Sequence, residues 1–357
     1  MREGMAIPSA RGAIPRARSQ SPSKGRATIV TLSQLAGVSA STVSRALKND
    51  PRISEETRNR IAALATKAGY TPNAFARTLS SGRSGLLGIV LGSVQNPFYS
   101  ELLEEAVAQA AARGMRLLIV HAGGGPIEDR TAEALLQYQV DGCIITSAEL
   151  SSNAVNICAA NGVPVVMVNR IPRLHASAVA CDNAEGGREL ARFLVEGGHR
   201  RIAMVQAPAR SSTGMERVRG FVEQLTALGL EPAMRMDGGG HYDGGFACGQ
   251  EIAKLPPNRR PDAIFGISDV MAMGAMDALR IAGIRVPEDI SVVAFDNIAA
   301  ASHPPYGLTT IAQPLQAMVH RGLDILMARI RDPSLPDEAV QLRGRLIVRR
   351  SARVPGA

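Results

Sequence analysis

At 357 residues the chain is too long for one ordinary domain and predicts two or three. Apolar residues make up 45% and aromatics only 3%, which excludes a disordered or fibrous body and leaves cores built from Leu, Ile, Val, Ala and Met. The net charge of +8 is uneven: residues 1–85 hold 14 Lys and Arg against 4 Asp and Glu, while the rest holds 26 against 28, so one basic segment faces a polyanion, with nucleic acid the leading candidate. A solubilising tail would carry the same charge, so charge alone does not decide.

Residues 1–27 are rich in Ser, Pro, Gly and Arg without hydrophobic periodicity, and predict a disordered basic tail. From Thr28 the texture changes. Thr31 and Gln34 have capping-box spacing, and Leu32, Leu35 and Ala36 are expected to share one face of a short helix ending at Gly37. Ser39 caps a second helix, Ala40–Leu47, with Val43 and Leu47 inward; the tight Gly37-Val38-Ser39 link is what a helix-turn-helix requires. A third helix starts at Ser54, where Glu55 and Glu56 complement the helix dipole, and carries Ile61, Leu64, Ala65 and Ala68 inward before Gly69. Asn73 caps one more helix, Ala74–Leu79, whose two turns fall below the roughly 12–15 residues an isolated helix needs. That segment predicts a hinge that is helical only against a partner.

Beyond Ser84, apolar runs alternate with helical stretches. The expected strands are Leu87–Leu91, Arg116–Val120, Gly142–Thr146, Pro164–Val168, Arg201–Val205, Ala263–Gly266 and Ser291–Phe295. Helices are expected at Ser100–Arg113, Ala184–Glu196, Met215–Leu228 and Val270–Ala282, among others. Continuous Val/Ile/Leu runs separated by helices indicate parallel sheets flanked by helices on both faces. About 270 residues suit two such α/β subdomains better than one, with a ligand in the crevice beyond the strand ends.

Other classes find little support. No stretch approaches the roughly 18 uncharged apolar residues of a membrane helix, and no apolar run of signal-peptide length follows the first arginines, so a cytoplasmic protein is expected. Cys143, Cys158, Cys181 and Cys248 are scattered, without CxxC or metal-ligand spacing, and predict ordinary buried thiols and no metal. Gly123-Gly124-Gly125 and Gly238-Gly239-Gly240 complete neither a dinucleotide fingerprint nor a Walker A sequence, and neither HExxH nor a nucleophile elbow occurs. No catalytic residues and no cofactor are expected.

The stretch TLSQLAGVSASTVSRALKNDPRISEETRNRIAALATKAGYTPNAFARTL resembles the DNA-binding headpiece and hinge of the lactose-repressor (LacI/GalR) family. The likeness continues in order through GIVLGSVQNPFYSELL, VDGCII, DNAEGGRELARFLVEGGHRRIA, TGMERVRGF, ISDVMAMGAMDALRIAGIRVPEDISVVAFDN and LTTIAQP, covering about residues 28–350. The resemblance implies an all-α helix-turn-helix headpiece at 28–70, a hinge helix and linker at 71–85, and at 86–357 a core of two subdomains like a periplasmic binding protein. It further implies a homodimeric transcriptional regulator, commonly a repressor, whose grip on double-stranded operator DNA is set by a small-molecule effector such as a sugar, sugar acid or related metabolite.

Matched position by position, the resemblance implies base reading by Ala40, Ser41 and Arg45, with Arg52 just beyond. It implies phosphate contacts by Thr28, Ser39, Thr42, Ser44 and Ser54, and a minor-groove wedge at Leu79 supported by Asn73 and Ala76. An arginine fork on guanine is worth about 1–3 kcal/mol of discrimination, phosphate contacts fix register, and an apolar wedge kinks the duplex. The matching effector positions are Phe98, Tyr99, Asn169, Ser211, Thr213, Arg217, Asp269 and Asp296, with Arg217 and Asp296 foremost and Asp182 orienting a neighbour. Arg170 beside Asn169 hints at an acidic effector, and the absence of Trp weakens the case for a stacked neutral sugar. Thr31 and Ser33 depart from the Asp and Ala common in other members. The C-terminal LIVRRSARVPGA carries no leucine heptads, so a dimer rather than a tetramer is expected. The body alone would also permit a solute-binding protein with no regulatory role; the basic headpiece argues against it.

Overall fold

The computed structural model describes residues 27–70, 83–92, 95–122, 129–146, 152–170, 176–207, 211–354 and 356. The expected tail up to residue 26, the hinge helix with Asn73, Ala76 and Leu79, and Gly123-Gly124-Gly125 lie outside the described residues. The chain divides into two units, Met1–Ser80 and Ser81–Ala357.

The first unit holds α1 (Ile29–Ala36), α2 (Ala40–Leu47) and α3 (Glu55–Lys67). Their contact faces bury Leu32, Ala36, Val43, Ala46, Ile61 and Ala65 in one small core. Gly37 and Gly69 end α1 and α3 at φ 65° and 60°, a left-handed geometry that costs glycine little. One expectation needs correction. Helix α1 is capped by Thr28, not Thr31: the Thr28 hydroxyl accepts the Thr31 N–H at 3.2 Å, and the Thr31 hydroxyl accepts the Thr28 N–H at 3.3 Å. The β-branched run Ile29-Val30-Thr31 reads poorly as helix, yet here it forms the first turn. The earlier start puts Leu32 and Ala36 on the core face and leaves Leu35 58% exposed.

The second unit runs β1 (Leu86–Leu91), α4 (Pro97–Ala112), β2 (Arg116–His121), α5 (Asp129–Gln137), β3 (Gly142–Ile145), α6 (Ser152–Ala160), β4 (Val165–Val168) and β5 (Ser177–Cys181). It continues through α7 (Asn183–Glu196), β6 (Ile202–Gln206), α8 (Ser212–Ala227), β7 (Met234–Asp237), α9 (Tyr242–Lys254), β8 (Ala263–Gly266), α10 (Asp269–Ile281) and β9 (Ser291–Asp296). The last elements are β10 (Thr309–Ala312), α11 (Leu315–Arg331), β11 (Ala339–Leu342) and β12 (Arg345–Ile347). Among the described residues they build two six-stranded sheets, ordered β11-β5-β4-β3-β1-β2 and β12-β10-β9-β8-β6-β7. All pairs are parallel except β10 with β12. The central strands are buried along their length, as helices on both faces require.

The chain passes between the sheets three times: after Cys181, after Ala312 and after Leu342. The passages meet at Gly344, where an added Cβ would lie 2.6 Å from Ile311 Cγ2 and 3.1 Å from Cys181 Sγ. Cys143, Cys158, Cys181 and Cys248 are buried free thiols, and burial pushes the Cys181 thiol up to about 12. Helices α7 and α8 touch backbone to backbone through Gly187 and Gly220, whose added Cβ atoms would stand 2.3 Å from Arg217 O and 2.0 Å from Ala184 O. That approach seats Arg217 against the start of α7. Among the described residues no helix is long and apolar enough to cross a membrane.

Candidate DNA-binding surface and effector cleft

Helix α2 begins where Ser39 Oγ accepts the Thr42 N–H at 3.2 Å; the Ser39 hydroxyl also contacts those of Ser41 at 2.8 Å and Thr42 at 2.9 Å. Ser54 caps α3 in the same way through the Thr57 N–H at 3.4 Å. Three positions expected to hold phosphates, Thr28, Ser39 and Ser54, are therefore N-caps, standing where unpaired helix N–H groups favour an anion. Ser41 and Arg45 are exposed and four residues apart, hence on one face of α2, while Ala40, Thr42 and Ser44 are half-buried.

Arg52 behaves differently from Arg45. Its Nε and Nη2 donate to the two oxygens of Asp50 at 2.9 and 2.7 Å, and the Asp50 carboxylate also accepts the Arg52 N–H at 3.0 Å. These bonds hold the Asp50 carboxyl at about 2. The Arg52 fork is thus already engaged, although its side chain is 74% exposed.

The cleft is an open cavity of about 200 Å3 between the two subdomains of the second unit. Seven of the eight expected positions line it: Phe98, Tyr99, Asn169, Ser211, Thr213, Arg217 and Asp296. Most sit at carboxyl ends of strands or at the starts of the following helices, as parallel sheets direct. Arg217 is its electrostatic centre. Nη1 meets Asp296 Oδ1 at 2.9 Å and Ile267 O at 2.7 Å, Nε donates to Asn183 Oδ1 at 2.8 Å, and the guanidinium lies 3.9 Å from the Phe295 ring centroid. The two charged side chains are 6% and 2% exposed. Asp296 also accepts from Gln313 Nε2 at 2.8 Å and from Asn96 Nδ2 at 2.9 Å.

Arg170 lies across from this pair. It donates to Asn169 O at 3.0 Å, Thr213 Oγ1 at 3.1 Å and Tyr99 OH at 3.2 Å. Two polar atoms of cleft-lining residues, Asn169 Oδ1 and Ser268 Oγ, are buried without a hydrogen-bond partner, a state costing about 1–3 kcal/mol each until something pairs with them. Asn169 and Asp296 have φ of 63° and 125°, sparsely populated for residues other than glycine, and such strain concentrates at working sites.

Asp269 is the expected position that does not line the cleft. It is fully buried behind the wall, accepting the Ile298 N–H at 2.9 Å and the Thr310 hydroxyl at 2.5 Å. Burial first, and the Asp296 charge second, push its carboxyl well above the usual carboxylate range. As the opening residue of α10 it ties that helix to the loop after β9 and to β10. Asp182, expected to orient a neighbour, caps α7 by accepting the Glu185 N–H at 2.9 Å. Asn96, Asn183, Ser268 and Gln313 also shape the site and were not singled out from the sequence. Asn96 carried a local signal, a cap-forming Asn directly before Pro97.

Comparison with known proteins gives concordant matches. Residues 28–73 match "Bacterial regulatory proteins, lacI family", and residues 191–352 match "Periplasmic binding protein-like domain". The HTH-type transcriptional regulator CelR of Thermobifida fusca is 31% identical over 336 residues, 91% of this chain and 98% of that protein. The ribose operon repressor of Escherichia coli (strain K12) is 32% identical over 331 residues, 91% of this chain and 100% of that protein. The lac repressor dimer bound to operator and the anti-inducer ONPF superposes with a TM-score of 0.83 at 26% identity, covering 92% of this chain and 99% of that one.

Proposed function

This chain belongs to the lacI family of bacterial regulatory proteins, and on that premise we propose which of its residues read DNA and which receive the effector. It is a DNA-binding transcription regulator controlled by a small molecule; its relatives are transcriptional regulators, and we assign it no catalytic role. In our reading 28–70 is the headpiece, 71–85 the hinge and 86–357 the effector-binding and dimerisation core, in a homodimer working in the cytoplasm. Ser41 and Arg45 read base edges from the exposed face of α2, with Ala40 offering apolar contact. Thr28, Ser39, Thr42, Ser44 and Ser54 hold phosphates, and Arg52 joins once it leaves Asp50.

The effector takes the cleft lined by Phe98, Tyr99, Asn169, Ser211, Thr213, Arg217 and Asp296. The observation that carries this reading is the pair of unpartnered buried atoms, Asn169 Oδ1 and Ser268 Oγ, in a cavity that also holds a buried ion pair. Such groups are paid for when a ligand supplies the missing hydrogen bonds. Arg170, Arg217 and Asp296 in the described lining offer charged groups for hydroxyls or for an anionic end, which suits a polyhydroxylated ligand, a sugar or sugar acid.

The test is selection of duplexes from a randomised pool by the full chain, with and without a panel of pentoses, hexoses, disaccharides and sugar acids. We expect a pseudo-palindromic preference that at least one of these compounds strengthens or weakens. Arg45→Ala should relax one base position by about 1–3 kcal/mol. Unaltered base preference in Arg45→Ala would remove that residue from recognition, and indifference to every compound would remove the effector assignment.

A further inference from the structure

Asn96 uses both ends of one amide. Its oxygen accepts the Phe98 N–H at 3.0 Å and so caps α4 in the N-terminal subdomain. Its nitrogen donates to Asp296 Oδ2 at 2.9 Å, at the end of β9 in the other subdomain. The cap fixes which way the amide faces, because only the oxygen can accept a backbone N–H; the nitrogen is thereby aimed at Asp296.

The surroundings of Asp296 make this contact more than a surface bridge. Oδ1 is engaged by Arg217 at 2.9 Å and Gln313 at 2.8 Å, and the side chain is 2% exposed. A ligand hydroxyl or amine that approaches Oδ2 along the direction of the Asn96 amide takes its place. Arg217 and Gln313 hold the carboxylate through Oδ1, so it does not simply swing out to meet a ligand. Other bonds also cross the cleft: Arg170 to Thr213 Oγ1 at 3.1 Å, and the Ala299 N–H to Glu101 at 2.9 Å. Asn96 differs from both in joining the start of a helix in one subdomain to the buried carboxylate of the effector pair in the other.

We infer that Asn96 is a built-in stand-in for the effector: it latches the two subdomains through Asp296, and a ligand donor displaces it, leaving the Glu101–Ala299 bond as the remaining tie between the start of α4 and the C-terminal subdomain. This rests on the cleft being the effector site, but its test needs no ligand. Cysteines introduced at exposed Tyr138 and Leu228, one in each subdomain, take spin labels on the full-length chain, and pulsed EPR reads the distance between them.

Asn96→Ser keeps a cap acceptor, but its shorter side chain no longer brings a donor to Asp296, so a second, longer distance population is expected. Asn96→Asp also keeps the cap but sets a carboxylate against Asp296, and is expected to shift the distribution further. Combining Asn96→Asp with Asp296→Asn exchanges donor and acceptor and should bring back the wild-type distance, a rescue that mere loss of packing would not give. Far-UV circular dichroism of each variant checks folding. Wild-type distances in folded Asn96→Ser and Asn96→Asp, or no recovery in the exchange variant, overturn the latch. Those results leave the effector assignment standing, since that falls only to the compound panel above.

Discussion

The headpiece and the cleft each contain an arginine–aspartate pair of nearly equal length, and the two pairs have opposite consequences. Arg52 and Asp50 meet at 2.7 Å with 74% and 14% of their side chains exposed. Arg217 and Asp296 meet at 2.9 Å with 6% and 2% exposed. Water screens the first pair, so little is lost when it opens and Arg52 stays available to another anion. The second has surrendered its hydration and depends on fixed partners: Asn183, Gln313, Asn96 and the Ile267 carbonyl. One region keeps its charge ready for exchange, while the other locks it into a receptor.

Breaking the buried pair should have the largest effect. Arg217→Ala leaves Asp296 in the interior without its cation and strips Asn183 and the Ile267 carbonyl of a donor; the expected cost is about 3–5 kcal/mol in denaturant unfolding of the second unit. Replacing both partners together, Arg217→Leu with Asp296→Leu, should cost less than Arg217→Ala alone, because no uncompensated charge then remains. A single-variant loss no larger than that of Arg52→Ala would show that burial does not separate the two pairs.

An intermediate effect is expected at the Ser39 cap. Ser39→Ala should lower headpiece stability by about 1 kcal/mol, because the Thr42 N–H loses its acceptor. Ser39→Asp keeps the cap, since a carboxylate oxygen can accept the same bond, but places negative charge where a phosphate is proposed to sit. Melting of the headpiece should therefore separate Ala from wild type, and DNA affinity should separate Asp from wild type. If the Asp variant bound operator normally, Ser39 would be a cap and nothing more.

The same contrast explains what could be read in the sequence. Exposed chemistry on short capped helices is local, so the headpiece was legible: α2 and α3 start at the expected Ser39 and Ser54. Its failure was equally local, the β-branched first turn that hid Thr28 as the cap of α1. In the core, the long apolar strands stood out. Ser177–Cys181 escaped because small residues fill it, Met234–Asp237 because it is a half-exposed edge, and Arg345–Ile347 because it is three residues long. The cleft positions came from the resemblance, which supplied seven lining residues, Arg217 among them, but not Asn96 and Gln313, the other partners of Asp296. Asn96 and Gln313 stand 200 and 17 residues from Asp296, and only the folded chain joins them. Asp269 was misplaced for the same reason: a carboxylate opening a helix looks alike whether it faces the cavity or, as here, the strand behind it.

The smallest expected effect, and the one that probes the exposed pair most directly, is Asp50→Asn. The amide oxygen can still accept the Arg52 N–H, so the turn before α3 should persist, but the charge that engages the guanidinium is gone. Arg52 is then free to reach DNA without first leaving a carboxylate, and one repulsive charge is removed from the basic face. Operator affinity should rise modestly. The slope of log K against log salt should steepen by up to about one unit, the contribution of one added phosphate contact. Arg52→Ala in the Asp50→Asn background should cancel the gain. A slope identical across wild type and both variants would mean that Arg52 never reaches the phosphates, and that the Asp50 pair braces the turn instead of holding a cation in reserve.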